Sequence, residues 1–409
     1  MSKPDNNFIV GLDIGTSKVV AIVSRLSEEG QLEIIGIGSH PSRGLRKGVV
    51  VDIERTVESI RRAVEEAELM AGCQIRSVYA GIAGSHISSL NSHGIVAIRD
   101  GEVTQADIDR VIDAARAVAI PADQKILHIL PQQYLIDRQE DIREPIGMSG
   151  VRLEAKVHIV TGAVSAAQNI IKCVRRCGLE VEDIILEPLA SSESVLSRDE
   201  KELGVCLIDI GGGTTDIAVF TQGAIQHTAV IPIAGDQVTN DLAIALRMPT
   251  QAAENVKIKY GCSLKDMVDA NELIDIASIG DRLPRKVSRH ELVDVIEPRY
   301  EELFVLVENE LSRHGFSGRL GSGIVVTGGG AKMKGVLELA EEIFQVPVRL
   351  GIPRYVTGLL DVVANPIYAT GVGLVLYGHQ QQKGRGRDIL QFGFSGMWNV
   401  MRRWVRGHL

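Results

Sequence analysis

The sequence predicts an α/β fold of two related lobes closing on one phosphate-binding cleft, with an inserted α/β subdomain and an amphipathic helix at the C-terminus. Three observations carry that prediction. A glycine hairpin at Val205 to Phe220 has a counterpart at Phe8 to Val23, the stretch from Gly84 to Thr161 breaks the pattern both lobes share, and both tryptophans of the 409 residues fall in the last segment.

The hairpins come first. Two β-branched apolar runs flank Asp209-Ile-Gly-Gly-Gly-Thr-Thr-Asp216, which reads as strand, glycine turn, strand, with no helical period. Gly211, Gly212 and Gly213 remove every Cβ from the turn, so backbone N–H groups can close around a phosphate, and Thr214 and Thr215 add hydroxyl donors. Asp209 and Asp216 are anions beside an anion site, a combination that makes sense with a cation such as Mg²⁺ between them. One such turn is a weak signal, because glycine hairpins without a ligand are common. The second copy, Asp13-Ile-Gly-Thr-Ser-Lys18 between apolar strands, aligns Asp13 with Asp209 and strengthens it.

Composition sets the bounds. A chain that is 45% hydrophobic and 23% charged can bury more than one core, and domain sizes suggest about two to three domains. A net charge of −8 and a pI near 5.8 disfavour nucleic acid as a partner. Five cysteines without a CxxC pair read as reduced thiols in a cytosolic protein. The N-terminus lacks the apolar core of a signal peptide, and no run of 18 apolar residues occurs.

Along the chain, Leu32 to Gly38 reads as a third strand, Ser42 to Gly48 as an exposed Gly/Arg loop, Glu54 to Met70 as an amphipathic helix and Val78 to Ala83 as a strand. In the insertion, strands are expected at Ser88 to Ile98, Ile126 to Ile136 and Leu153 to Val160. Thr104-Gln-Ala-Asp107 is a capping-box variant that opens a helix to about Val118. The insertion has no constellation with catalytic spacing and reads as an assembly module or a plain structural insertion. Ala163 to Cys177 is helical, and the strand Val181 to Leu186 leads into a helix with Pro188 in its first turn and Glu187 near the cleft.

In the second lobe, Ile225 to Ile231 is a strand, Gly235 opens a helix through Leu246, and Ala252 to Tyr260 carries Glu254 and Lys257 one turn apart. A short strand and helix start at Arg285 to Val295 precede a long helix from Val295 to His314. Strand Ser322 to Val326 enters a third glycine turn at Gly328, Gly329 and Gly330, with a helix from Val336. That turn suits backbone approaching a ligand or a plain strand-to-helix connection. Ala369, Gly371 and Gly373 permit Asn365 to Tyr377 to pack closely back on the first lobe.

Gly378 to Arg387 has the composition of a linker. From Gly378 onward six Lys and Arg face one Asp, so the tail carries +5. On a helical wheel Phe394, Met397, Trp398, Val400, Met401, Trp404 and Val405 share an arc of about 160°, with Arg402, Arg403 and Arg406 opposite. Such a helix suits an anionic membrane interface rather than a docking site on the body.

No Walker A pattern, HExxH or GxSxG elbow is present. The remaining reading is a nucleotide held between two lobes. The turns at Gly15, Thr16, Ser17 and Lys18 and at Gly211 to Thr215 would clamp the phosphates, with Lys18 as a point charge. Asp13 and Asp209 would position Mg²⁺ through its waters, Asp209 counting also among the catalytic candidates. Glu187 could orient an attacking water.

Asp13-Ile-Gly-Thr, Glu187-Pro-Leu-Ala, the Asp209 turn, Ala253-Glu-Asn-Val-Lys and Gly328-Gly-Gly-Ala together resemble, in order and spacing, the phosphate and adenosine motifs of the actin and heat-shock-chaperone ATPase superfamily. Within it, the insertion and the C-terminal helix resemble the FtsA family of bacterial cell-division proteins. The resemblance implies an actin-like two-lobe ATPase fold that binds ATP with Mg²⁺, with hydrolysis slow. Gly235, Glu254, Lys257, Gly328, Gly329 and Gly330 would meet the nucleoside.

It also implies a homopolymer that tethers FtsZ to the cytoplasmic side of the inner membrane at the division septum, as a peripheral protein touching anionic lipids and other division proteins. A rod-shape or pilus-assembly actin-like ATPase is the rival. The implied division is lobe I at 1–83, insertion 84–162, lobe I again at 163–196, lobe II core 197–235, outer subdomain 236–299 contacting FtsZ, lobe II core 300–350, return to lobe I 351–377, linker 378–393 and membrane helix 394–409.

Overall fold

A computed structural model describes residues 8–278 and 283–387, with side chains through Lys383. Its fold is mixed α/β and actin-like, built on two sheets of matching design. In the first lobe the spatial order is Glu180–Leu186, Ser77–Ile82, Phe8–Ile14, Lys18–Leu26, Leu32–Pro41 and Thr357–Gly358. Phe8–Ile14, Lys18–Leu26 and Leu32–Pro41 form an antiparallel meander, and Ser77–Ile82 adds in parallel to its first strand. The second sheet repeats the scheme: the meander of Val205–Ile210, Thr215–Thr221 and Ala224–Ile231 is extended in parallel by Ile324–Thr327 and Val348–Leu350. The repeat inferred from two hairpins therefore extends to whole lobes.

The hairpin strands read as unbroken apolar runs because helices cover both faces of each sheet. Val205–Ile210 is buried at every position. On the first lobe, Leu12, Val19 and Ala21 pack with Ile60 and Val64 of helix Ile53–Ala71. The other face sets Val20 and Ile22 against Val372 and Val375 of helix Ala369–Arg387. The same helix also packs closely on helix Glu187–Val195, where a Cβ on Gly373 would lie 1.9 Å from the Ala190 carbonyl oxygen.

The insertion is a four-stranded antiparallel sheet in the order Ser88–Ala97, Arg152–Ala163, Gln124–Ile136 and Gln139–Ile142, with helix Gln105–Arg116 packed on it. Asp107 accepts the Thr104 N–H at 2.9 Å, the backbone half of the expected capping box. The sheet lies against the second lobe's edge strand, where Ser89 Oγ donates to the Thr228 carbonyl at 2.9 Å and Gln132 Nε2 to that of Ile225 at 3.0 Å.

Two sequence expectations need correction and a third is refined. Gly378 to Arg387 is helical rather than a linker: helix Ala369–Arg387 runs through it, because Gly378 abuts the Tyr79 ring, His379 is buried and Gln380 donates to Glu193 at 2.7 Å. The helix placed from Val295 starts earlier, at Arg289, capped by Ser288 Oγ accepting from the Glu291 N–H at 3.2 Å. Ser42 to Gly48 exposes Arg43, Arg46 and Lys47 as expected, but it is tied to the turn of the first hairpin, where the Ser42 N–H donates to the Ser17 carbonyl at 3.0 Å.

The amphipathic segment with Phe394, Met397, Trp398, Met401, Arg402, Arg403, Trp404, Val405 and Arg406 lies outside the described residues. Among the described residues no helix is long and apolar enough to cross a membrane. All five cysteines are free thiols.

Candidate nucleotide-binding site

The two turns are closed by the same bond. Gly15 N–H donates to the Lys18 carbonyl and Gly211 N–H to the Thr214 carbonyl, each at 3.0 Å. They also meet. A Cβ on Gly212 would stand 2.8 Å from Ser17 Cβ, and one on Gly213 would stand 2.6 Å from Thr16 Oγ1, so glycine is what lets one lobe's turn touch the other's. The 42–50 segment closes over this contact, with the Gly48 N–H donating to Thr16 Oγ1 at 3.0 Å.

Asp13 and Asp209 end the first strand of their hairpins, and Asp216 faces Asp209 across the ladder. All three are buried. Burial pushes the Asp13 carboxyl up to about 7, with Lys18 opposing and Asp209 adding to the rise. Asp209 is pushed up to about 6 by burial, held down in part by hydrogen bonds from Ser191 and Thr370 and by Lys18. Asp216 rises to about 8 by burial and by the neighbouring Asp209. Burial, reinforced by these three aspartates, holds Glu187 well above the usual carboxylate range. Its carboxyl lies beside Gly81, 3.2 Å from where a Cβ would sit.

Against this negative potential stands Lys18, half-buried, whose Nζ donates to the Ile367 carbonyl at 2.8 Å and lies 5.2 Å from the Tyr368 ring centroid. Burial lowers Lys18 to about 8 although Asp13 and Asp209 favour its charge. Lys18, with Lys332 near enough to disfavour its charge further, faces four carboxyls and leaves the cluster short of positive charge. Asp216 Oδ1 is also buried without a hydrogen-bond partner. An all-oxygen donor set with an orphaned acceptor fits a hard divalent cation such as Mg²⁺.

The second lobe supplies a further wall. Helix Gly235–Ala245 is seated on the second turn, its Gly235 and Asp236 N–H groups donating to the Gly211 and Gly212 carbonyls at 3.1 and 2.8 Å. Lys257 and Glu254 form an ion pair at 2.7 Å, and Lys257 Nζ also donates to the Gly235 carbonyl at 3.0 Å and to Thr239 Oγ1 at 2.8 Å. This pair is held against the helix start rather than solvated, with Lys257 only 11% exposed.

The third glycine turn divides its roles. Gly328, at φ 87°, has its Cα against Asp209, where a Cβ would come within 2.3 Å of Oδ1. Gly330 packs on Ile210, and its carbonyl accepts from the Tyr300 hydroxyl at 3.0 Å. Gly329 alone of the three borders open space, with Ile367 at 3.9 Å as its nearest neighbour.

Two sequence candidates are engaged internally. Thr215 Oγ1 donates to the Ile233 carbonyl at 2.7 Å, away from the cleft, and Thr214 Oγ1 to Asp216 at 3.2 Å. Sequence reasoning missed Ser191 and Thr370, which hold Asp209, and His128 of the insertion, whose Nε2 accepts the Leu186 N–H at 3.0 Å just before Glu187. None of these carries a local signal, because each acts across a long stretch of chain.

Residues 206–373 match the family described as Cell division protein FtsA, and residues 84–161 match the SHS2 domain inserted in FTSA. A curated relative, Cell division protein FtsA of Pseudomonas aeruginosa, is 64% identical over 100% of this chain and 99% of its own length. The chain belongs to the FtsA family of cell division proteins. Among solved structures, the PilM-PilN type IV pilus biogenesis complex is similar at a TM-score of 0.66 and 18% identity, covering 91% of this chain and 98% of that one. MreB 5 of Spiroplasma citri bound to AMPPNP is similar at 0.57 and 18%, covering 94% and 100%. At that identity the likeness speaks for the actin-like fold alone, and it gives the rod-shape and pilus-assembly readings no support beyond fold.

Proposed function

We propose that this chain is an ATP-binding, actin-like cell-division protein that polymerises and tethers FtsZ to the cytoplasmic face of the inner membrane at the septum. The observation that carries the nucleotide part is the meeting of the two glycine turns over a buried cluster of carboxyls faced by Lys18. In this reading, N–H groups of both turns and Lys18 bind the phosphates. Asp13 and Asp209, with the orphaned Asp216, hold Mg²⁺ through its waters, and the ion supplies the charge neutralisation that triphosphate binding needs. The nucleoside lies against Gly235, Glu254, Lys257 and the Gly328 to Gly330 turn, with Gly329 offering the room. A relative of the same fold solved with AMPPNP supports a nucleotide in such a cleft.

Glu187 is the water-positioning group. Burial favours its uncharged form, and a carboxyl accepts a proton only when ionised, which fits slow hydrolysis and a role for ATP in closing the lobes. Family membership supports self-assembly and division-protein partners, with FtsZ meeting the outer subdomain at 236–299. The arginine and tryptophan composition of 394–409 supports an anionic lipid surface.

The decisive test is calorimetry with Mg-ATP. Asp209→Ala lowers affinity more than about tenfold, as loss of a metal-orienting group does, and unchanged affinity refutes the site. For the membrane part, removing 390–409 abolishes co-sedimentation with anionic liposomes, and retained sedimentation refutes the anchor.

A further inference from the structure

Away from the cleft, three metal-ligating side chains gather where edge strand Ala224–Ile231 meets the C-terminal end of helix Arg289–Arg313. His227 Nε2 is 2.9 Å from Glu310 Oε1, and His314 Nδ1 is 3.3 Å from the same oxygen. All three donor atoms lie within 4.8 Å of one another, and it is the one such grouping among the described residues. Glu310 and His314 sit four residues apart at the helix end, so one face presents both. We propose that His227, Glu310 and His314 form a binding site for a borderline divalent transition-metal ion, of the Zn²⁺ type, with water completing a tetrahedron.

Two imidazole nitrogens and one carboxylate oxygen are a zinc donor set that leaves one position open. Ligand atoms about 2.0–2.1 Å from a tetrahedral ion stand about 3.3 Å from one another. The two contacts to Glu310, at 2.9 and 3.3 Å, already lie at or a little below that spacing. The imidazole rings stack at 4.0 Å between centroids, so His314 must turn to aim its lone pair at the ion. It can do so by giving up the 3.0 Å bond its Nδ1 donates to the Glu310 carbonyl and carrying the proton on Nε2, being 40% exposed and at the end of its helix, whereas His227 and Glu310, at 12% and 17%, are fixed.

The simpler reading is a histidine–carboxylate ion pair, which needs a charged imidazole. The two readings differ in what the cluster takes up, since an ion pair alone binds no metal. On metal binding at Nε2 the His227 ring proton moves to Nδ1. Arg313 Nη1, 3.3 Å from Glu310 Oε2, steadies the carboxylate and leaves Oε1 for the ion. Nitrogen ligands select against Mg²⁺, so this site is separate in chemistry as well as in place from the nucleotide cleft.

The test is equilibrium dialysis and calorimetry of the full chain, free of affinity tag, nucleotide and Mg²⁺, titrated with Zn²⁺. A Co²⁺-loaded sample reports tetrahedral geometry by its visible absorption. One Zn²⁺ binds per chain at micromolar or lower concentration, excess Mg²⁺ does not displace it, and the thermal midpoint rises. His314→Asn changes an exposed side chain and leaves the metal-free fold intact, and it weakens binding more than about tenfold, as does Glu310→Gln. If Glu310→Gln does not fold, His314→Asn alone decides. The proposal is overturned if the unaltered chain takes up no Zn²⁺ at these concentrations, or if His314→Asn binds as tightly as the unaltered chain, which would place the ion elsewhere.

Discussion

Asp13 and Asp209 were legible as a pair because each closes the same strand-to-glycine phrase. What surrounds them was not, since Ser191, Thr370 and His128 reach the site from distant parts of the chain and look like ordinary strand or helix residues. His128 is the clearest case. Buried in the insertion and accepting the Leu186 N–H, its imidazole is pushed down to about 4 by burial, from 6.5. The unfolded chain therefore binds a proton that the folded one refuses, so stability is full above 6.5 and is lost as pH falls towards 4. This residue alone should cost about 2 kcal/mol between about pH 7.5 and about pH 5. The raised aspartates of the cleft act in the opposite sense. The measurement is therefore a comparison of urea unfolding at both pH values for the unaltered chain and His128→Phe, and the variant should lose less stability on acidification.

At the level of elements, hydrophobic period and capping chemistry located the longer strands and helices and missed short ones such as strands Gln139–Ile142 and Val348–Leu350 and helix Arg198–Leu203. Thr104 with Asp107 marked the start of the insertion's helix. Composition misled at Gly378 to Arg387, because glycine and glutamine there were read as linker when Gly378 is small in order to meet Tyr79. Glycine served close packing rather than freedom. Gly373 shows the same use at the Ala190 carbonyl, 1.9 Å from its would-be Cβ. Gly373→Val should therefore lower stability by about 1–3 kcal/mol through overpacking of helix Ala369–Arg387 on the first lobe, read as a lower urea midpoint.

Across the whole molecule, the doubled architecture followed from two short motifs, and the insertion was bounded by where their pattern lapses. How the lobes and insertion touch was not legible, because docking depends on side chains such as Ser89 and Gln132 that bond to backbone far away in sequence. The contact of Gly212 and Gly213 with Ser17 and Thr16 lets this be tested on the whole particle. Gly213→Val introduces a wedge between the lobes, and should raise the radius of gyration in solution scattering while weakening Mg-ATP binding.

If the proposed function holds, that same touch sets a tempo: a gate resting shut would admit cargo only in the moments it stands ajar, and loading would keep time with the breathing of the two halves.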